Sequence, residues 1–221
     1  MKSKDEIYCL KRFAGRLAHD FNNVLTGVLG FAQLILMDMD ENDKSYNDIK
    51  QIEDAAKKGK KLTDQLLLFS KQKELDKKPE DINKIIESSI NEAKDLVGPD
   101  TVITEDLKQI PPTNIDRERI GLAIRDIIVN SSEALEDGKG TIHLTTEKEG
   151  KRVLISVLDN GKGAGPEDLP FIFEPLYRTK DSRTTGIGLT AAYETIKEHG
   201  GEIEAAAGNT EGMIFKIWLP C

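Results

Sequence analysis

The segment LKRFAGRLAHDFNNVLTGVLGFAQLI, residues 10–35, decides how the first third of this chain folds. Its apolar residues recur at alternating steps of four and three, which is the spacing of a coiled-coil seam on one helix. The members of this stripe are Leu10, Ala14, Leu17, Phe21, Val24, Val28, Phe31 and Ile35. The segment therefore predicts a long amphipathic helix whose apolar side needs a partner.

A second helical segment follows a short polar turn. The first helix is predicted at about Lys4–Met37 and the second at about Ser45–Lys73, with the turn Asp38–Lys44 between them. The second helix has an apolar stripe with the same spacing. A hairpin of two helices cannot bury both stripes alone, so two copies are expected to form a dimeric four-helix bundle. This predicts a homodimer.

His19 lies two positions past Leu17, off the apolar stripe, and is expected to face solvent. Asp20 is adjacent to it, and Asn23 lies one turn further along the same face. A carboxylate can hold one ring nitrogen protonated and leave the other nucleophilic. This segment alone is equally compatible with a surface histidine that has no chemical role.

The remainder of the chain alternates helices and strands and forms a second predicted domain. Predicted helices cover residues 82–96, 117–135 and 189–199, and predicted strands cover 101–106, 141–146, 152–158, 202–206 and 213–219. This order predicts an α+β sandwich with helices on one face of the sheet. We expect the helical hairpin in residues 1–76, a linker in 77–81 and the sandwich domain in 82–221.

The composition narrows the class of protein. The 221 residues include 39 acidic and 31 basic side chains, a net charge of −8, so nucleic acid and anionic membrane are poor partner candidates. We find no run of about 18 apolar residues, and hence expect no transmembrane span or membrane contact. Cys9 and Cys221 are far apart, which favours a reducing cytoplasm, and the three histidines lack zinc-ligand spacing.

Three further motifs occur in the second domain. The run Asp159–Gly163 follows an apolar strand, Gly186–Leu189 opens a helix, and Asn130 ends an apolar helix. In this order, and downstream of an exposed histidine, they resemble the motifs of the histidine protein kinases of two-component signalling. The resemblance covers nearly the whole chain, and the His-Asp-Phe-Asn-Asn sequence is similar to a variant of that family's phosphoacceptor box.

The resemblance implies a fold and an activity. The second domain would be an ATP-binding α/β sandwich of the gyrase, Hsp90 and histidine-kinase type. His19 would be phosphorylated from ATP and pass the phosphoryl group to an aspartate on a separate response-regulator receiver domain. Asp20 would accept a hydrogen bond from the other ring nitrogen, and Asn23 resembles the residue that positions water for dephosphorylating the receiver. ATP and Mg²⁺ are the implied cofactors.

Asp159 and two nearby glycines fit an adenine site. Asp159, at the predicted end of a strand, offers an acceptor to the exocyclic amine, and Gly161 and Gly163 remove side chains from the path of the ring. In the resembled family the matching aspartate contacts adenine. An ordinary Asx turn at Asp159 is the alternative.

The triphosphate site is predicted at the turn containing Gly186 and Gly188, which enters a helix N-terminus and offers backbone donors. The resemblance assigns Asn130 to Mg²⁺ and places Phe173 in a motif that packs a mobile lid, about residues 178–185, over the nucleotide. Lys180 in that lid is a candidate phosphate contact, with a solvated surface lysine as the alternative.

Asp126 departs from the family pattern, because many histidine kinases carry Asn there. An acid one turn before Asn130 can act as a general base, or can simply pair with Arg125 or Arg119. Glu133 also stands where many members carry Lys or Arg. These departures leave two alternative functions open: a nucleotide- or receiver-binding scaffold without kinase activity, and an ATPase that uses Asp126.

Overall fold

The computed structural model describes residues 4–40, 43–70, 75–175, 177, 186–208 and 212–221. The chain divides into two compact units, residues 1–73 and 74–221. The first unit contains two helices, α1 (Lys4–Asp38) and α2 (Tyr46–Ser70). The elements of the second unit are β1 (Lys78–Glu80), α3 (Ile82–Ala93), β2 (Thr101–Leu107), β3 (Thr113–Ile115), α4 (Arg117–Ala134), a short 3₁₀ turn (Glu136–Gly138), β4 (Gly140–Glu149), β5 (Arg152–Asp159), α5 (Gly188–Glu198), β6 (Glu202–Ala207) and β7 (Met213–Pro220).

The face of α1 that packs against α2 differs from the face that carries most of the predicted apolar stripe. Ala14, Ala18 and Ala32 of α1 are buried, as is Ala56 of α2. Such small residues let two helix backbones approach closely. Six members of the predicted stripe remain exposed: Leu17, Phe21, Val24, Val28, Phe31 and Ile35. The helix prediction is confirmed, and six of the eight stripe members stay exposed within one chain.

The exposed stripe also gives α1 an unusual hydropathy. The segment Phe13–Asp38 is long and apolar enough to cross a membrane by length and composition alone, with a mean hydropathy of 1.2. The expectation that the chain makes no membrane contact stays a prediction. A helix that packs its apolar side on another helix passes the same test, so the finding by itself is weak evidence for a membrane.

The second unit is built on a five-stranded sheet in the order β2-β4-β5-β7-β6. The β2–β4 pair is parallel and the other pairs are antiparallel. Helices α3, α4 and α5 cover one face, as predicted. The core between them contains Ile85, Ile86, Ile124, Ile127, Ile128, Ile142, Leu144, Ile155, Ala192, Ile196 and Phe215.

Two short strands were not predicted. Strand β1 pairs antiparallel with β3, with Lys78 opposite Ile115, and it occupies part of the predicted linker 77–81. Three residues are too few to show a period-two pattern, so the sequence carries no signal for either strand. The linker prediction therefore needs correction, because residues 78–80 are held by a backbone ladder.

Candidate nucleotide-binding and phosphoacceptor sites

Asp159 ends β5 inside the domain and is 2% exposed. Its Oδ1 accepts hydrogen bonds from the backbone N–H groups of Gly161, at 3.0 Å, and Met213, at 3.1 Å. Its Oδ2 is buried and has no hydrogen-bond partner among the residues the structure describes. Both sequence interpretations therefore describe part of the site: one oxygen makes an Asx turn, and the other is free to accept from a ligand amine.

Ser131 is a second buried polar group at this place, and sequence reasoning missed it. Burial raises the pKa of Asp159, while the two backbone N–H groups and the Ser131 hydroxyl lower it. The Ser131 Oγ atom is itself buried without a partner of normal hydrogen-bond geometry in the described part of the chain. Leaving such groups unsatisfied is costly, about 1–3 kcal/mol each, so both atoms fit a polar ligand.

The glycines after Asp159 are required by close backbone packing. A Cβ on Gly161 would lie 2.6 Å from the carbonyl oxygen of Ala134, at the end of α4. Gly163 has a positive φ of 68°, and a Cβ there would lie 3.0 Å from the Gly212 carbonyl oxygen. Glycine at these two positions lets the loop beside Asp159 pack against the end of α4 and against Gly212. This packing requires glycine independently of any space left for an adenine ring.

Asp126 and Asn130 lie one turn apart on α4. Asp126 pairs with Arg125, whose Nη2 lies 3.0 Å from Oδ1, and its side chain is 19% exposed. Burial raises the pKa of Asp126 and the neighbouring guanidinium lowers it. A Cβ placed on Gly188 would lie 3.6 Å from the Asp126 Cβ, so this acid faces the first residue of α5. It is a partly buried acid beside the predicted phosphate turn rather than a solvated surface acid.

The helix α5 begins at Gly188, directly after a turn that contains Gly186. Gly186 has φ of 68°, which favours glycine, and the N-cap residue Ile187 makes no side-chain capping bond. First-turn N–H groups of a helix lack intrahelical partners and attract anions. Asn130 is half-buried and makes no side-chain hydrogen bond with another described residue. Phosphate and Mg²⁺ are chemically compatible with these groups.

Phe173 anchors the loop that precedes α5. Its ring lies 5.4 Å from that of Tyr193 on α5, and Lys197 Nζ lies 5.6 Å from the Tyr193 ring centre. Phe171 contacts Tyr177 at 5.7 Å in the same loop. The predicted lid, residues 178–185, and the candidate phosphate contact Lys180 within it lie outside the described residues.

His19 in α1 is exposed, as predicted, with 71% of its side chain accessible. Its Nδ1 lies 3.4 Å from Asp20 Oδ1 and 3.5 Å from Asn23 Nδ2. A carboxylate only accepts hydrogen bonds, so pairing with Asp20 places the proton on Nδ1 and requires Asn23 to turn its amide oxygen toward the ring. Nε2 is then the nucleophilic nitrogen.

The other histidines differ from His19 in their surroundings. His199 is 3% exposed, and both of its ring nitrogens make hydrogen bonds. His143 Nδ1 lies 2.8 Å from the Thr104 hydroxyl on the neighbouring strand. Of the three, His19 has the environment of an accessible nucleophile.

Two domain families match the chain. The "His Kinase A (phospho-acceptor) domain" matches residues 10–75, and the "Histidine kinase-, DNA gyrase B-, and HSP90-like ATPase" matches residues 115–221. The first match contains His19, Asp20 and Asn23, and the second contains the Asp126, Asn130 and Asp159 sites.

Individual relatives give the same result. The chain is 30% identical to "Sensor kinase CckA" of Brucella abortus. The match covers all of this chain and 25% of that protein. Its fold matches full-length ShkA in complex with AMPPNP at a TM-score of 0.80 and 21% identity, covering 95% of this chain and 45% of that one. It also matches ThkA in complex with the response regulator protein TrrA at a TM-score of 0.68 and 22% identity, covering 98% and 63%. The chain thus spans less than two thirds of each relative.

Proposed function

We propose that this chain, which belongs to the histidine protein kinases and carries both their phosphoacceptor and their ATPase domain, transfers the γ-phosphoryl group of ATP to its own His19. One observation carries the proposal: the domain matched to the phosphoacceptor family presents an exposed histidine paired with a carboxylate. The ATPase-type domain supports it with a buried acceptor, Asp159 Oδ2, that has no partner in the described structure.

The chemistry at His19 follows from its hydrogen bond. Asp20 accepts from Nδ1–H, so the lone pair of Nε2 attacks the γ-phosphorus in line. A bond from Nε2 to phosphorus forms as the bond from phosphorus to the β,γ-bridging oxygen breaks, and ADP leaves. The imidazole becomes a cation during transfer, and the Asp20 carboxylate stabilises that charge.

The nucleotide would be held by groups of the second domain. Asp159 Oδ2 would accept from the adenine amine, and the first turn of α5 would donate to the phosphates. Asn130 is the residue we assign to Mg²⁺, through its amide oxygen, and the ion would neutralise charge on the triphosphate. The buried Asp159 Oδ2, which has no partner among the described residues, and the position of Gly186 and Gly188 at the start of α5 support this arrangement.

We further propose that phosphohistidine donates its phosphoryl group to an aspartate of a separate response regulator. The fold match to ThkA in complex with TrrA supports a partner of this kind. The Asn23 side chain lies beside the acceptor ring, which suits a role in positioning water to dephosphorylate the regulator. The exposed apolar stripe of α1 supports a homodimer, and the cytoplasmic location remains a prediction from cysteine usage.

Incubation with γ-labelled ATP and Mg²⁺ distinguishes the proposal from its alternatives. A histidine kinase acquires protein-bound label that is labile in acid and stable in base. An ATPase releases free phosphate without labelling the chain, an outcome that the partly buried Asp126 beside Gly188 makes worth testing. A scaffold shows neither result, and either of these last two outcomes contradicts the proposed function.

A further inference from the structure

Asp116 makes more contacts than capping α4 requires. One carboxylate oxygen, Oδ1, accepts from the Arg119 N–H at 3.1 Å, which is an ordinary N-cap bond. The other, Oδ2, accepts at 3.1 Å from the backbone N–H of Asp76, at the start of the second unit. The Asp116 N–H donates to His199 Nε2 at 3.0 Å. With 9% exposure, Asp116 is a buried junction between three parts of the chain.

His199, at the C-terminal end of α5, connects that end of the helix to Asp116. It follows the last residue of α5, and its Nδ1 donates to the Thr195 carbonyl at 2.7 Å, so its Nε2 is free to accept from Asp116. Beside it, Lys77 Nζ donates to the Glu198 carbonyl at 3.1 Å, and Arg119 pairs with the Glu198 carboxylate at 2.6 Å. Side-chain bonds thus join the segment at 76–77 to both helices.

Helices α4 and α5 both continue from this junction to the nucleotide site. Asp126 and Asn130 lie further along α4, and Gly188 is the first residue of α5. The segment 76–80 is also fixed by the pairing of β1 with β3, the strand that leads directly into Asp116. A displacement of segment 76–80 therefore acts on both helices at once.

From this geometry we infer that the junction of Asp116 and His199 couples segment 76–80 to nucleotide binding between α4 and α5. The inference rests on the proposed function, because it requires nucleotide at that site. Coupling between two sites is reciprocal: whatever the segment does to nucleotide affinity, the nucleotide does to the segment. Asp116 and His199 act as positioning residues, since neither lies at the nucleotide site.

Hydrogen exchange on the full chain tests this reciprocity without any substitution. The Asp76 amide, which donates to Asp116, is followed by NMR with and without saturating AMPPNP and Mg²⁺. The inference predicts that the nucleotide slows its exchange by about fivefold or more, the lower range of ordinary coupling factors. Unchanged Asp76 exchange in a chain that calorimetry shows to bind AMPPNP overturns the inference. Failure to bind AMPPNP overturns the proposed nucleotide site instead.

Substitution of Asp116 tests whether its side chain transmits the effect of the nucleotide to the Asp76 amide. Asp116→Asn can keep the capping oxygen for Arg119 but presents an amide to the Asp76 N–H, so Asp76 exchange should become fast and insensitive to AMPPNP. Asp81→Asn is the matched control, because Asp81 caps α3 by accepting from the Asn83 N–H, and it should leave the Asp76 response unchanged. An equal response to AMPPNP in wild type and Asp116→Asn contradicts the inference.

His199 provides a test of positioning against simple stabilisation. His199→Phe keeps a ring but removes both hydrogen bonds, and should weaken AMPPNP binding by about fivefold or more. His199→Gln can supply an acceptor at the position of Nε2 and should restore most of the affinity. If Phe and Gln variants lower the Tm equally and leave affinity as in wild type, the junction only stabilises the fold.

Discussion

The two units of this chain place their reactive groups in opposite environments. In the hairpin, the face between the helices contains Ala18, the Thr63 hydroxyl that donates to Asn22, and Leu25 beside Gly59, while His19 is exposed. In the second unit, Asp159 lies within an isoleucine-rich core. The proposed nucleophile is thus held by its neighbours on one helix, whereas the proposed adenine acceptor depends on tertiary packing.

His19→Gln should have the largest effect, and it should affect the hairpin without affecting nucleotide binding. His19→Gln removes the nucleophilic nitrogen from an exposed position, so acid-labile labelling should vanish while AMPPNP affinity measured by calorimetry stays as in wild type. Phosphohistidine that persists in this variant contradicts the assignment and moves the acceptor to His143 or His199. A matched loss of AMPPNP binding shows instead that residue 19 affects the nucleotide domain.

Asp159→Asn tests the buried acceptor. One carboxylate oxygen becomes an NH₂ group that faces the donor amine of adenine, and an unpaired buried contact of this kind costs about 1–3 kcal/mol, or roughly a 5- to 150-fold rise in Kd. Calorimetric titration with AMPPNP measures the change. Ser131→Ala is the informative companion, because it alters the neighbouring buried hydroxyl and leaves the carboxylate intact. Unchanged affinity in Asp159→Asn refutes the adenine assignment.

Asp126→Asn preserves shape and removes basicity. General-base contributions are about 10²–10⁴-fold in rate, whereas a partly exposed ion pair with Arg125 contributes at most about 1 kcal/mol. If Asp126 takes the proton from an attacking water, ATP hydrolysis should fall by at least about tenfold with AMPPNP affinity retained, whereas transfer to the unprotonated Nε2 of His19 needs no such base. A fall below about threefold, which is within reach of a lost ion pair, leaves Asp126 as an acid paired with Arg125. Lost Mg²⁺-dependent binding instead places it beside the metal.

Asn23→Ala tests whether Asn23 acts in dephosphorylation of the receiver rather than in autophosphorylation. Asn23 contacts the acceptor ring but carries no charge, so autophosphorylation should change little. Dephosphorylation of a phosphorylated receiver should fall by about tenfold or more, because a water that attacks phosphorus must be positioned accurately. Equal losses of both activities indicate that Asn23 only shapes the helix or its docking surface.

The smallest expected effect is on stability at acidic pH. Burial lowers the pKa of His199 below its ordinary value of 6.5, so between these two values the unfolded chain binds more protons than the folded one. The free energy of unfolding should therefore decrease as the pH falls below about 6.5. Denaturant titrations at several pH values measure this decrease, and His199→Gln should flatten it. A decrease of the same size in that variant assigns it to other groups.

The long helices could be predicted from sequence because apolar spacing over many turns is a strong local signal. The same signal does not show which face of α1 contacts α2 within one chain. The exposed stripe contains large residues such as Phe31, while the face toward α2 contains small ones such as Ala18 and Ala32 beside Leu25. Which of two faces packs within the chain is decided by how closely the backbones approach, and residue spacing does not encode that distance.

The candidate site was predictable to the extent that its residues lie in local motifs. Asp159 was found because it follows a strand and precedes glycines, yet its Oδ1 accepts from the N–H of Met213, more than fifty residues later. Ser131 gave no signal, because a serine beside Asn130 is not visibly buried in sequence. The junction of Asp116 and His199 joins residues separated by 83 positions, which no local pattern reveals.

The proposed mechanism requires that Asp20 holds the Nδ1 proton and leaves Nε2 of His19 to take the phosphoryl group. Phosphorylating the ¹⁵N-labelled chain with ATP and Mg²⁺, then recording the histidine ring nitrogens by NMR, tests this claim directly. We expect a single phosphorylated histidine, His19, with phosphorus bonded to Nε2 and a proton on Nδ1. Phosphorus on Nδ1, or on any residue other than His19, would contradict it.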